Sequence, residues 1–595
     1  MLELHKLLAA YRAAPTGIAI PVLNEAAFQL GKYSDGSLLK FRGVVRDVQD
    51  PELVLLAPEG DVAAARLDAG AYVSEKLVER VPLKVTLFPH STDWAKRAYD
   101  APLKQESATT AEQATDNGNG KGTKRPSEAV ENVEMEPNEG ITTGHDDKKP
   151  KATPEIPADA EASAFLPRAV NIYVYDGQYK DTPLDAFKVN EAFEFVGILD
   201  LMVVGAGGKA KPSDGEDGED GGETSLSARE LEDLQISDCI DEVQRKDLSG
   251  VVLHCCDVSA LHSVHHVRPH QPCEFYAGIH ESNAARTQFC LGEWEKLGHD
   301  SDIAAMRKQL VDYLKQAVRG DTLAAEYLLL TLLSHVYARA DPSTPLGNLS
   351  LNLELEKSLE TEEKSAFVAQ LNNTLESLMP MVARVDLSLK ELNSTKFMPH
   401  KDYDREVLLG GVLQVANGTT MLVNETALAA GQLNAQGVKN IGALQSLVEK
   451  MLLPYDFQFY NMDFPQDVAV VTVSEGKSIL PVNVAVPLAA TDTVTEMTST
   501  PAEQVLECFR VFLSVLRSFA VTIGNEEAEM AEKHYVECRK SQQKVALEDL
   551  HRWLRLARLV ALSRGEGQVS KAAWQTMLDL ETRRLTRSTS DASSA

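Results

Sequence analysis

The chain has 595 residues, 44% hydrophobic and 25% charged, with a formal net charge of −29. One hydrophobic core stops growing at roughly 250–300 residues, so two or three folded units joined by linkers are expected. The acidic balance argues against direct DNA binding, which needs a basic face to displace counterions, and suits basic protein partners instead.

The segment 1–17, MLELHKLLAAYRAAPTG, carries Glu3 and lacks a long apolar run, so no signal peptide is expected there. No stretch approaches the roughly 20 apolar residues that cross a bilayer, so no membrane association is expected and the reading is a soluble intracellular chain. The seven cysteines are scattered apart from Cys255 and Cys256. An odd count with one adjacent pair suits a reducing compartment rather than a disulfide framework.

Period-two alternation in Ser37–Leu55 and Pro82–Pro89 predicts strands, with Leu39, Phe41 and Val45 on one face, as are Leu83, Val85 and Leu87. Ala169–Asp176 and Phe187–Leu199 repeat the pattern. Residues 1–104 and 164–204 thus read as two parts of one small β-barrel or sandwich. The segment 105–163 between them is poor in large apolar residues and reads as a disordered insert. A second break, 205–248, opens with GAGGKAKPSDGEDGEDGGET and reads as an acidic, Gly-rich linker and connector.

Residues 249–490 mix helical and strand patterns and predict an α/β core. Ile303–Ala340 has a helical pattern. Gly410–Asn424 (GGVLQVANGTTMLVN) looks like two strands around an Asn-Gly turn. Val468–Pro481 contains another buried strand. Residues 500–586 read as a helical bundle, with Leu550, Leu554, Ala557 and Ala561 near one face, and 587–595 as a disordered Ser-rich tail.

Several of these segments together, in order, resemble the minichromosome maintenance (MCM) complex-binding protein family. They are FRGVVRDVQDPEL, GDTLAAEYLLLTLLSHVYAR, TPLGNLSLNL, GGVLQVANGTTMLVNET, the run from GQLNAQGVKN to SEGKSILP, and DLHRWLRLARLVALSRGEG. The resemblance extends from about Phe41 to Leu580, outside the insert and linkers. It implies an α/β plus β fold: an OB-like β domain followed by a degenerate AAA+ ATPase-like core and a helical lid. It also implies a nuclear protein that binds MCM helicase subunits, reaches chromatin indirectly, and acts in DNA replication, the cell cycle and sister-chromatid cohesion.

A phosphate loop needs G-x-x-x-x-G-K-[ST] between a strand and a helix. GAGGKAK at Gly205 has the wrong spacing, and SEGKSIL at Ser474 lacks the upstream glycine. Met421–Thr426 (MLVNET) resembles the Walker-B run, with Glu425 as the hydrolytic-type acid. Asn424 stands where MCM-type ATPases carry an aspartate, and a neutral amide is a poorer partner for a hard cation. With neither lysine nor aspartate, no ATP hydrolysis and no cofactor are expected. Arg555 resembles a lid arginine, although an amphipathic helix also places such a residue at a solvated or interface position.

His254, Cys255, Cys256, His262, His265, His266, His270 and Cys273 cluster in sequence but lack C-x-x-C or C2H2 spacing, so no metal site is assigned. Lys121, Lys124 and Arg125 in KGTKRP, and Lys148, Lys149 and Lys151 in DDKKPK, form short basic clusters of the nuclear-import type. Phe41, Phe88, Tyr173, Tyr175, Phe193 and Phe195 could stack bases but alternate as barrel core residues do. Two alternative functions remain: an ATP-binding MCM-like helicase subunit, and an OB-fold single-stranded DNA-binding protein.

Overall fold

The computed structural model describes residues 20–23, 32–34, 36–56, 76–99, 169–175, 187–201, 251–261, 263–269, 273–403, 407–489, 500–541 and 545–594. All of them fall in one compact unit, Met1–Asp100 with Pro167–Ala595. It is a mixed α/β structure.

The first sheet contains β1 (Leu38–Val48), β2 (Glu52–Leu56), β3 (Lys76–Thr86), β4 (Ala169–Tyr175), β5 (Ala192–Leu201) and β6 (Val251–Ala260). Its order is β1-β5-β6-β4-β3-β2, and a further β1–β3 pairing closes the strands other than β2 into a ring. Every pairing is antiparallel except β4 with β6. Closure needs sharp local bending, supplied by irregularities at Val45/Asp47 and Val196/Gly197. Gly43 and Gly197 permit the tightest approaches, since a Cβ on either would come within 2.5 Å of a carbonyl oxygen of the neighbouring strand. Leu39, Phe41, Val45, Leu83 and Val85 fill the interior, as their alternation predicts. The strand Val251–Ala260, expected to open the α/β core, completes this ring instead.

The second sheet is parallel throughout, in the order β10 (Val382–Asp386), β13 (Thr419–Asn424), β16 (Val468–Glu475), β9 (Leu351–Leu355), β17 (Val484–Pro487). Counted by position in the chain, that is 2-3-4-1-5. Both faces are covered, so even the polar Asn352 of β9 is buried, and its Nδ2 donates to Ser474 Oγ of β16 at 2.9 Å. Leu422 packs on one face, while Met421 and Val423 pack on the other with the helix Ala435–Lys450. The C-terminal helices Glu503–Leu516, Asn525–Lys540, Leu547–Ser563 and Lys571–Ser594 share the core of the Leu422 face. They are not an independent bundle.

Three further expectations are corrected. The helical pattern of Ile303–Ala340 divides into Ile303–Ala317 and Thr322–Leu333, then gives way to a strand, β7 (Ala338–Asp341), paired with β8 (Thr344–Leu346). The break falls where Arg319 and Gly320 take φ of 56° and 80°, and Asp321 caps the second helix through Leu323 N and Ala324 N. Gly410–Asn424 is not a hairpin. β13 is drawn into the parallel sheet, while Gln466 Nε2 donates to the carbonyls of Leu413 and Val415, which would otherwise need a strand partner. The expected disordered tail continues the last helix through Ser594.

A small third sheet, β12 (Val407–Leu409), β11 (His400–Asp402), β14 (Leu452–Asp456), β15 (Asn461–Pro465), lies beside the parallel one. A buried polar network joins the ring to the core. Arg46 Nη1 donates to Asn190 Oδ1 at 3.1 Å, and Asn190 Nδ2 and Gln414 Nε2 donate to the Tyr455 hydroxyl at 3.3 and 2.9 Å.

Candidate functional site

In open parallel sheets, ligands bind beyond the carboxyl ends of the strands. Here the register aligns Asp386 with Asn424, Asn424 with Val473, and Glu475 with Leu355 across that edge. The Walker-B-like pair therefore sits where a nucleotide-binding sheet would place its chemistry.

Each member of the pair is engaged by the protein itself. Asn424 Nδ2 donates to Asp386 Oδ1 at 2.6 Å, and Asn424 Oδ1 accepts from Thr426 N at 3.1 Å and Thr426 Oγ1 at 2.7 Å. Glu425 is buried, and its carboxylate accepts from Ser478 Oγ at 2.6 Å and Ile479 N at 3.1 Å. Burial pushes its pKa above the usual carboxylate range. Ser478 belongs to the G-K-S of SEGKSIL, which lies between β16 and β17 with no helix after it. The two motif fragments do meet, but as a structural clasp.

A phosphate loop joins a strand to the helix that follows it. The turn from β9, the first parallel strand in the chain, into the helix Thr361–Leu378 is Glu356–Glu360: Glu, Lys, Ser, Leu, Glu. It has no glycine and is too short to wrap backbone amides around phosphates. Ser358 Oγ donates to Glu356 Oε2 at 2.9 Å. Glu360 N donates to Glu363 Oε2 at 3.3 Å, and Glu362 joins Glu363 in the first helical turn. These carboxylates satisfy the electropositive helix end that would otherwise attract phosphate. Lys364 pairs with Glu475 at 3.0 Å. A triphosphate approaching this edge would meet mainly negative charge. Sequence reasoning missed this turn because only the strand order identifies which β-to-α turn matters.

Arg555 lies part-buried on Leu547–Ser563, and burial, with Arg552 nearby, lowers its pKa. The ionisable groups that act on it are Tyr337 and Arg552. The next turn places Arg558 over the Tyr337 ring at 4.0 Å.

The His/Cys segment is divided among separate roles. His254 Nε2 donates to Asp200 Oδ2 at 3.3 Å, and its Nδ1 is bonded to the Tyr175 hydroxyl at 2.7 Å. Cys255 joins the ring interior and Cys256 a separate cluster, as alternation on β6 requires. His265 stacks on Tyr276, and His266 meets Phe88 edge-on at 4.9 Å. His262 and His270 lie outside the described residues, as do all six basic-cluster residues. Among the described residues, no three His, Cys, Asp or Glu converge as for a metal.

The candidate stacking aromatics also divide. Phe41, Phe193 and Phe195 are ring interior. Phe88 packs against Val44, Met381 and Ala416 where ring meets core. Tyr173 lies under Arg80 at 3.9 Å. No helix among the described residues is long and apolar enough to cross a membrane.

The family model described as "Mini-chromosome maintenance replisome factor" matches residues 14–588. Relatives called "Mini-chromosome maintenance complex-binding protein" include one from Gallus gallus, 30% identical over 68% of this chain and 60% of its own length. One from Danio rerio is 28% identical over 96% of this chain and 90% of its own. One from Arabidopsis thaliana is 38% identical over 46% of each. The match with the Gallus gallus relative thus spans less than two thirds of that protein. With the family model matched across nearly the whole chain, this protein belongs to the Mini-chromosome maintenance replisome factor family.

Proposed function

We propose that this chain is a non-catalytic binding partner of the MCM replicative helicase. The observation that carries this reading is the parallel sheet of order 2-3-4-1-5 whose phosphate-loop position holds a short acidic turn. That order is AAA+-like, and the closed ring with its single parallel pairing is OB-like, so the chain has the outline of a helicase subunit. The names of its relatives, which refer to binding the MCM complex, support the same partner.

The mechanism is subunit mimicry. The ring and core dock on an MCM subunit where another subunit would lie, which holds subunits before assembly or opens the assembled ring for release from chromatin. Asn424, Glu425 and the lid-type Arg555 are remnants kept for structure. Electrostatic stabilisation supplies most of phosphoryl-transfer catalysis, and this edge offers carboxylates instead. Placement in the nucleus through Lys121, Lys124, Arg125, Lys148, Lys149 and Lys151, and roles in replication and sister-chromatid cohesion, belong to the same proposal. Direct contact with DNA is not part of it, because a net charge of −29 opposes the phosphate backbone.

The test is capture of purified MCM subunits by the purified full chain in nucleotide-free buffer. Stable complexes are expected, and indifference to every subunit would end the proposal.

A further inference from the structure

The third sheet carries a group of aromatic side chains that the fold leaves uncovered. In the turn between β14 and β15, Phe459 is 85% exposed and Tyr460 55%; Met462 on β15 is 46% exposed and Tyr403, just after β11, 43%. Hydrogen bonds hold this turn in one shape. Phe457 N donates to Tyr460 O at 3.0 Å, and Gln458 N to Asp456 Oδ1 at 2.8 Å, with Gln458 at a φ of 62°. The Tyr403 hydroxyl donates to Phe457 O at 3.1 Å and braces the turn from the neighbouring strand. The Phe457 and Tyr460 rings stack 5.2 Å apart and 9° from parallel, and Tyr403 meets Phe459 at 5.9 Å. Aromatic groups held rigidly in water lose little freedom when a partner covers them, which makes them effective binding anchors.

Charge selects the occupant. Single-strand binders set their stacking aromatics in a basic groove. The strands that carry this tip also carry Asp402, Asp456 and Asp463, in a chain of net charge −29. Of the nearby lysines, Lys439 is paired with Asp456 at 2.9 Å, and Lys401 shares β11 with Asp402. We infer that Tyr403, Phe459, Tyr460 and Met462 form the anchor that enters an apolar pocket, rimmed by Lys and Arg, on the protein partner. This inference rests on the proposed function, in which that partner is an MCM subunit.

The experiment compares the full-length chain with its Phe459→Ala/Tyr460→Ala variant for affinity to purified MCM subunits. Binding to a labelled single-stranded oligonucleotide is measured in parallel. A melting temperature checks that the variant is folded. The expected result is MCM binding at least about tenfold weaker in the variant, with Phe459→Trp restoring it in the presence of Tyr460. A wild-type chain that binds MCM and a variant that binds equally well would overturn the anchor while leaving the family reading intact. A wild-type chain that ignores MCM would overturn both. Oligonucleotide binding that depends on Phe459 would replace the protein occupant with nucleic acid and overturn the anchor.

Discussion

Ser478 Oγ donates to Glu425 Oε1 at 2.6 Å, joining the G-K-S fragment to the Walker-B-like acid. A glutamate that polarises water needs an open face, whereas this one is buried and committed on both oxygens. Ser478→Ala should therefore act on stability, costing about 1–2 kcal/mol for the lost charge-assisted bond. Urea denaturation measures the cost, and a phosphate-release assay should read the same for variant and wild type.

Asn424→Asp supplies the aspartate that the proposed Walker-B-like reading calls for but places a second carboxylate against Asp386, now 2.6 Å from the Asn424 amide. Like charges at that distance oppose each other. The expected outcome is a lower melting temperature without ATP turnover, because the acidic turn Glu356–Glu360 remains. Turnover by this single variant would contradict the assignment of that turn as the decisive loss.

Much of this arrangement was legible in the sequence. The ring strands follow their alternation, with Leu39, Phe41 and Val45 together in the ring interior. Gly410–Asn424 misled because an Asn-Gly turn is a local signal. Pairing of β13 with β10 and β16, and the reach of Gln466 to Leu413 and Val415, are decided by distant chain. The Glu356–Glu360 turn was unreadable for the same reason: its significance comes from the place of β9 in the sheet. The exposure of Phe459 and Tyr460 carries no sequence signal, since apolar residues are buried by default.

The joint between ring and core rests on the Tyr455 hydroxyl, which accepts from Asn190 and Gln414. Tyr455→Phe leaves both amide donors buried without that acceptor. The expected cost is about 1–3 kcal/mol, read by denaturant unfolding.

Acid should loosen the fold through two histidines. Burial, together with Arg42 and Arg517, holds His266 down to about 4; burial, with Arg517 and Arg558, holds His335 down to about 3. Unfolded imidazoles titrate near 6.5, so below that pH the unfolded chain takes up protons that the fold refuses. Their contribution is complete above about pH 6.5 and is lost as pH falls through the folded values. Melting temperature should decline from pH 7 to pH 4, and His266→Gln with His335→Gln should flatten that decline.

Sedimentation of the full chain with purified MCM subunits, with and without magnesium-ATP, tests the central claim most directly. Complexes of equal stability under both conditions, with no phosphate released beyond that from the subunits alone, are the predicted result. Sedimentation as separate species, or association only when this chain hydrolyses ATP, would contradict it.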